Sequence, residues 1–161
     1  MSLDYSDEEW AAAVAGEPLK TLPDMELALL HRQWMWANQQ RERFDELLPS
    51  SDRDNFVALI SKDAGHMLAW YSFLWSVMEA FEDRGIVFGG RFAEDIAAIS
   101  DDLRRLRNAV FHVPKVATMH DKRLVAFIGR PDSVDLVRRV HRGFGRLFLT
   151  QMRQRTASGA A

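Results

Sequence analysis

Residues 51–85 read SDRDNFVALISKDAGHMLAWYSFLWSVMEAFEDRG. Within them Val57, Ile60, Ala64, Met67, Tyr71, Leu74, Met78 and Phe81 follow one another at steps of three and four. Such steps put all eight on one face of an α-helix, and no strand pattern of period two accounts for them. Ser51, with Asp54 three residues on, opens this helix. Gly85 stops it, and Gly89-Gly90 complete the turn that follows.

The same spacing recurs on both sides. Upstream, Ser6-Asp7-Glu8-Glu9 is a capping box, which starts a short helix over Asp7 to Ala15 that halts at Gly16. A second helix spans Asp24 to Leu48, with Leu27, Leu30, Trp34, Ala37, Phe44 and Leu48 on its apolar stripe. Pro49 ends it, because the residue before a proline is pushed out of the helical region. Downstream, a fourth helix spans Phe92 to Phe111, with Ile96, Ile99, Leu103, Leu106 and Val110 inward and Pro114 beyond its end. Arg123 to Ile128 reads equally as a short strand or a helical turn. Pro131-Asp132-Ser133 then opens a last helix to about Arg153, with Val137, Val140, Phe144, Leu147 and Phe148 inward. The expected fold is all-α: an up-and-down bundle of four long helices with a short N-terminal helix. It forms one domain over 1–155, and 156–161 is a flexible C-terminal tail. The five Trp and ten Phe are read as core.

The chain has 161 residues, 47% of them apolar, which suffices for one sizeable core. It has no cysteine, so disulfide scaffolds, zinc ribbons, iron–sulfur centres and Cys nucleophiles are excluded. The acidic start, Met1 to Trp10, lacks the basic and apolar regions of a signal peptide. No apolar run is long enough to span a membrane, and a cytoplasmic location is expected.

The net charge of −2 conceals a division. Residues 1–103 hold 20 Asp/Glu against 8 Lys/Arg, a net of −12, whereas residues 104–161 hold 3 against 13, a net of +10. Either the basic part meets an anionic partner or the fold neutralises itself. Arg outnumbers Lys by 17 to 4, which fits a GC-rich genome or planar recognition of phosphate.

Several sites are missing from the sequence. There is no Walker loop and no HExxH. Gly143-Phe144-Gly145 lies inside a helical pattern, where close packing or a kink explains two glycines better than a dinucleotide turn. Asp63-Ala64-Gly65-His66 is half of a bundle metal motif, and His66 reads as an ordinary helix residue. No metal or other cofactor is implied.

The segment that carries chemistry is Leu103-Arg104-Arg105-Leu106-Arg107-Asn108-Ala109-Val110-Phe111-His112, which ends the fourth helix. Arg107 and His112 are five residues apart, about 140° around an ideal helix. They address one phosphate only if the helix end deviates or two copies meet. Arg107-Asn108-x-x-x-His112 resembles the R-x(4–6)-H signature of the HEPN superfamily, including the polar residue that often follows the Arg. That resemblance implies a small helical bundle. It also implies either a metal-independent endoribonuclease, such as a toxin or defence effector, or a non-catalytic binding module. In the nuclease case the RNA 2′-OH attacks the adjacent phosphorus at a homodimer interface. His112 would move protons, Arg107 would stabilise the phosphorane oxygens, and Asn108 would orient His112 or a phosphate through its amide. RNA, a second copy and an antitoxin protein are the partners it implies.

The basic part adds rows of arginine. Arg138, Arg142 and Arg146 stand at i, i+4 and i+8 on the last helix, and Arg139, Arg146 and Arg153 form a neighbouring row. With Arg104, Arg105 and Lys115 they are candidates for binding nucleic acid, and His120 and His141 are candidate auxiliary groups. Three readings of the rows stand open: a phosphate groove, a solvated face, or pairing with acidic helices through Glu79, Glu82, Asp83, Asp101 or Asp102.

Overall fold

A computed structural model describes residues 4–16, 18–19, 22–47, 64–111 and 122–159. Six helices follow in order: α1 (Asp7–Val14), α2 (Asp24–Leu47), α3 (Ala64–Asp83), α4 (Gly90–Phe111), α5 (Lys122–Ile128) and α6 (Ser133–Gly159). The described residues contain no strand. The protein is an all-α bundle in which α3 packs between α2 and α4, and α6 packs on both α2 and α4. The sequence opening of the third helix, over 51–63, lies outside the described residues.

The local signals act as their chemistry requires. The Glu9 backbone N–H donates to Ser6 Oγ at 3.2 Å, and the Ser6 N–H donates back to Glu9 Oε2 at 2.8 Å. This satisfies two otherwise orphaned donors at the start of α1. At the end of α3, Gly85 takes φ +65°. There Ile86 N donates to Phe81 O and Gly85 N to Glu82 O, the paired closure that a left-handed residue permits. Arg123 to Ile128 is helical, within α5.

Burial follows the predicted stripes and then exceeds them. Leu27, Leu30, Ala37 and Phe44 are buried on α2, while Trp34 is partly buried. On α3 the stripe from Met67 to Phe81 is buried, and so are Trp70, Trp75 and Val77, because this helix has neighbours on two sides. Phe81, Phe88, Phe92, Phe144 and Phe148 form the aromatic centre, with ring centroids as close as 5.0 Å for Phe88 and Phe92.

The two glycines of α6 mark its closest approaches. A Cβ on Gly143 would lie 2.5 Å from a ring carbon of Phe92, and one on Gly145 would lie 2.6 Å from the Trp34 ring. Close packing is therefore the reason for both. The last helix also runs further than about Arg153, to Gly159. Arg155 donates to the carbonyls of Leu19 at 3.1 Å and Leu22 at 2.7 Å, and pairs with Asp24. These contacts tie the extra turns to the connector before α2.

Candidate functional site

The far end of α4 carries the Arg107-Asn108 pair. Leu103 and Leu106 are buried there and anchor the helix. Arg107 stands one turn beyond Leu103, at the edge of that face, with its side chain 34% exposed. Its Nη1 donates to Asn108 Oδ1 at 3.1 Å. Its Nη2 is 3.9 Å from Glu79 Oε2 on α3, an ion pair too long for a hydrogen bond. The guanidinium is thus aimed by one hydrogen bond and one ion pair and keeps donors for a further anion. His112, Lys115 and His120 lie outside the described residues.

Arg104, Arg105 and most arginines of α6 are held more tightly, whereas Arg153 is exposed. Arg104 and Arg105 both meet Asp101, at 2.5 and 3.1 Å. On α6, Arg138 is buried and pairs with Asp45 of α2 at 2.6 Å and Asp135 at 3.2 Å. Arg142 reaches Asp4 at 3.1 Å, and Arg146 reaches Asp7 at 2.7 Å and the Tyr5 carbonyl at 3.3 Å. Arg138, Arg142 and Arg146 are therefore each paired within the chain, Arg138 in the interior and the other two at the surface. The acids in these pairs are Asp45, Asp4 and Asp7 rather than those expected from the middle helices. A phosphate groove along this row would have to displace a carboxylate at every step.

Arg139 belongs to the core. Its Nε and Nη2 donate to the two oxygens of Asp95 at 2.7 and 2.6 Å, and the Tyr5 hydroxyl donates to Asp95 Oδ2 at 2.7 Å. Burial opposes the Arg139 charge, but the hydrogen bonds and charge of Asp95 outweigh it and raise its pKa. Burial also pushes the Tyr5 phenol far above its ordinary range, and the hydrogen bond to Asp95 adds to the effect. The signal for this cluster was in the sequence: Asp95 stands where an apolar residue belongs, between Phe92 and Ile99 on one face of α4.

His141 is buried and satisfied. The Trp70 indole N–H donates to its Nδ1 at 3.2 Å, while Nε2 is 3.1 Å from Asn38 Oδ1. An indole can only donate, so Nδ1 accepts and Nε2 carries the proton toward the amide oxygen. Burial, together with the charges of Arg41 and Arg142, lowers its pKa to about 3. A permanently neutral imidazole enclosed by Trp34, Trp70 and Asn38 is a packing element and cannot act as a proton shuttle near neutral pH. His66 Nδ1 lies 2.8 Å from Gln40 Oε1, and its expected companion Asp63 is outside the described residues. Among the described residues no cluster of His, Asp or Glu is placed to hold a metal ion. No helix among them is long and apolar enough to cross a membrane.

Comparison with protein-family models, with curated proteins and with solved structures gives no match to this chain.

Proposed function

We propose that the protein is a metal-independent endoribonuclease of HEPN type, with Arg107, Asn108 and His112 as its catalytic group. The observation that carries this reading is the state of Arg107. Its neighbours Arg104 and Arg105, and Arg138, Arg142 and Arg146 of α6, meet carboxylates at 2.5–3.1 Å, while its own carboxylate is 3.9 Å away and Asn108 fixes its plane. A guanidinium that is aimed yet not consumed suits a phosphate that gains charge during reaction. The resemblance of Arg107-Asn108-x-x-x-His112 to the HEPN signature supplies the rest. The RNA 2′-OH loses its proton and attacks the adjacent phosphorus, and the 5′-oxygen leaves with a proton. The products are a cyclic phosphate and a 5′-OH. One His112 serves each step in turn, or a second copy of the chain supplies the second imidazole. A role as a toxin or defence effector, with an antitoxin partner, follows from the same resemblance.

Purified protein incubated with RNA in EDTA tests this directly. Cleavage that persists in EDTA, and that falls by about 10²–10³ in Arg107→Ala and further in His112→Ala, is the expected result. Wild-type cleavage left intact by His112→Ala would reject the assignment. The second reading is a non-catalytic interaction module. It is favoured by the α6 row, in which Arg138, Arg142 and Arg146 each meet a carboxylate of the same chain. Binding without cleavage, unchanged in His112→Ala, would establish it.

A further inference from the structure

A cleft of about 420 Å³ opens between the C-terminal half of α3, the turn after it and the first half of α4. Its floor and walls are apolar, with Met78, Phe81, Phe88, Ile96 and Phe144 among them. The α4 side is made by Ala93, Ile96, Ala97 and Ser100, at i, i+3, i+4 and i+7. The same helix face continues at i+11 and i+14, which are Arg104 and Arg107. On α3, Glu82 lines the cleft, and Glu79, one turn earlier, is the residue that faces Arg107. Both helices therefore lead from the cleft into the Arg107 corner. Ser100 and Arg107 are separated by about 10 Å of helix rise, within reach of a nucleotide once the arginine side chain extends.

The polar side chains of the cleft have one character. Ser100 already donates its hydroxyl to the Ile96 carbonyl at 2.7 Å, so only its oxygen lone pair is left. Glu82 contributes a carboxylate with no side-chain partner among the described residues. An apolar slot whose polar side chains offer only acceptors, on the helix that carries a cation, suits a flat ring with a donor edge linked to an anion. Among the RNA bases, guanine presents two adjacent donors, N1–H and the N2 amino group, that match one carboxylate. Adenine, cytosine and uracil each offer one donor position there.

We infer that the α3–α4 cleft binds a guanine base of single-stranded RNA, with Glu82 on its donor edge and the neighbouring phosphate on Arg107. The inference rests on Arg107 being a phosphate site, and it makes the nuclease selective for sequence next to guanosine. Base stacking on apolar walls with recognition of the Watson–Crick edge is the usual way single strands are read.

The test is binding of the full chain to 2′-O-methyl hexamers, which resist cleavage: all-uridine, and uridine with one central guanosine, adenosine or cytidine. The expected result is about tenfold tighter binding of the guanosine hexamer. Glu82→Gln, an exposed and isosteric change, should remove that preference. Ala97→Phe should fill the cleft and do the same. Arg107→Ala should weaken all four hexamers alike. Equal affinity for the four hexamers in wild type, or a guanosine preference that survives both Glu82→Gln and Ala97→Phe, would overturn the inference. Guanosine-selective binding without any cleavage of unmodified RNA would leave the cleft standing and reject the nuclease. Cleavage without base preference, unaffected by Ala97→Phe, would do the reverse and leave the cleft to an apolar ligand.

Discussion

The same substitution, glycine to alanine, should have opposite effects at two positions. At Gly143 the new methyl carbon would sit 2.5 Å and 3.0 Å from two ring carbons of Phe92 and 3.1 Å from the Tyr5 ring. Carbon atoms pack at roughly 3.5–4.0 Å, so the worst overlap is about 1 Å. Phe92 is fully buried, with the rings of Tyr5, Trp10, Phe88 and Phe144 around it at centroid distances of 5.0–5.6 Å. It has nowhere to go, so α6 must shift. Overpacking of this kind costs ~1–3 kcal/mol, while alanine recovers up to ~1 kcal/mol of helix propensity. A net loss of about 1–2 kcal/mol is expected. At Gly65, on α3, nothing lies within 4 Å of the built Cβ, and only the gain of up to ~1 kcal/mol applies. Urea titrations followed by tryptophan fluorescence give both values. In thermal melts Gly143→Ala should lower Tm by several degrees and Gly65→Ala should raise it by about 2–3 °C. If Gly143→Ala were as stable as the parent, the close approach of α6 to Phe92 would be wrong, and with it the reason for a glycine there.

Three further outcomes follow from the packing. His141 has a pKa near 3 when folded and an ordinary one when unfolded, so the unfolded chain takes up the proton first as pH falls. Its contribution is complete above about pH 6.5 and is lost on the way down toward 3, amounting to about 2 kcal/mol at pH 5. The difference in unfolding free energy between pH 7.5 and pH 5 should shrink in His141→Gln, and an unchanged difference would contradict a buried neutral imidazole. Asp95→Asn strands the Arg139 charge in the core and should cost about 3–5 kcal/mol. Asp95→Asn with Arg139→Met should recover part of that, as measured by chemical denaturation. Ser6→Ala removes the cap of α1 and should cost about 1 kcal/mol, visible as faster amide exchange over Asp7–Val14.

The stripes were legible because each is local: the steps of three and four on the third helix, the Ser6–Glu9 box and the Gly85 stop depend on residues within a few positions of each other. The C-terminal end of α6 was not. Past Arg153 the sequence is small and polar, and the helix persists because Arg155 finds the Leu19 and Leu22 carbonyls, 136 and 133 residues away in the chain. Arg123–Ile128 was ambiguous for a related reason, since seven residues hold too few turns to show a period. At the candidate site, the Arg107-Asn108 contact is between adjacent residues and could be anticipated. Glu79, twenty-eight positions earlier, could be named only as one acid among several. The tight pairs of Arg138, Arg142 and Arg146 lay beyond any local pattern, because their partners are 93, 138 and 139 residues away.

Those separations explain the division of charge. A segment with 13 basic and 3 acidic residues cannot neutralise itself, so α6 must be surrounded by carboxylates from elsewhere. Asp4 and Asp7 approach from the N-terminus, Asp24 and Asp45 from α2, and Asp95 from α4. Attraction of this kind selects one arrangement of helices over its alternatives more than it adds stability. The exposed pairs with Asp4 and Asp7 are worth at most about 1 kcal/mol each. Salt should therefore loosen the N-terminal segment first and leave the buried Arg139–Asp95 pair in place, because screening acts on exposed charges. Arg107 stands outside this scheme. Its carboxylate is at 3.9 Å, its plane is set by a neutral amide, and it stands two turns along α4 from the apolar cleft. A fold that pairs Arg138, Arg139, Arg142 and Arg146 so closely, yet holds Arg107 loosely, gives that cation to something other than its own stability.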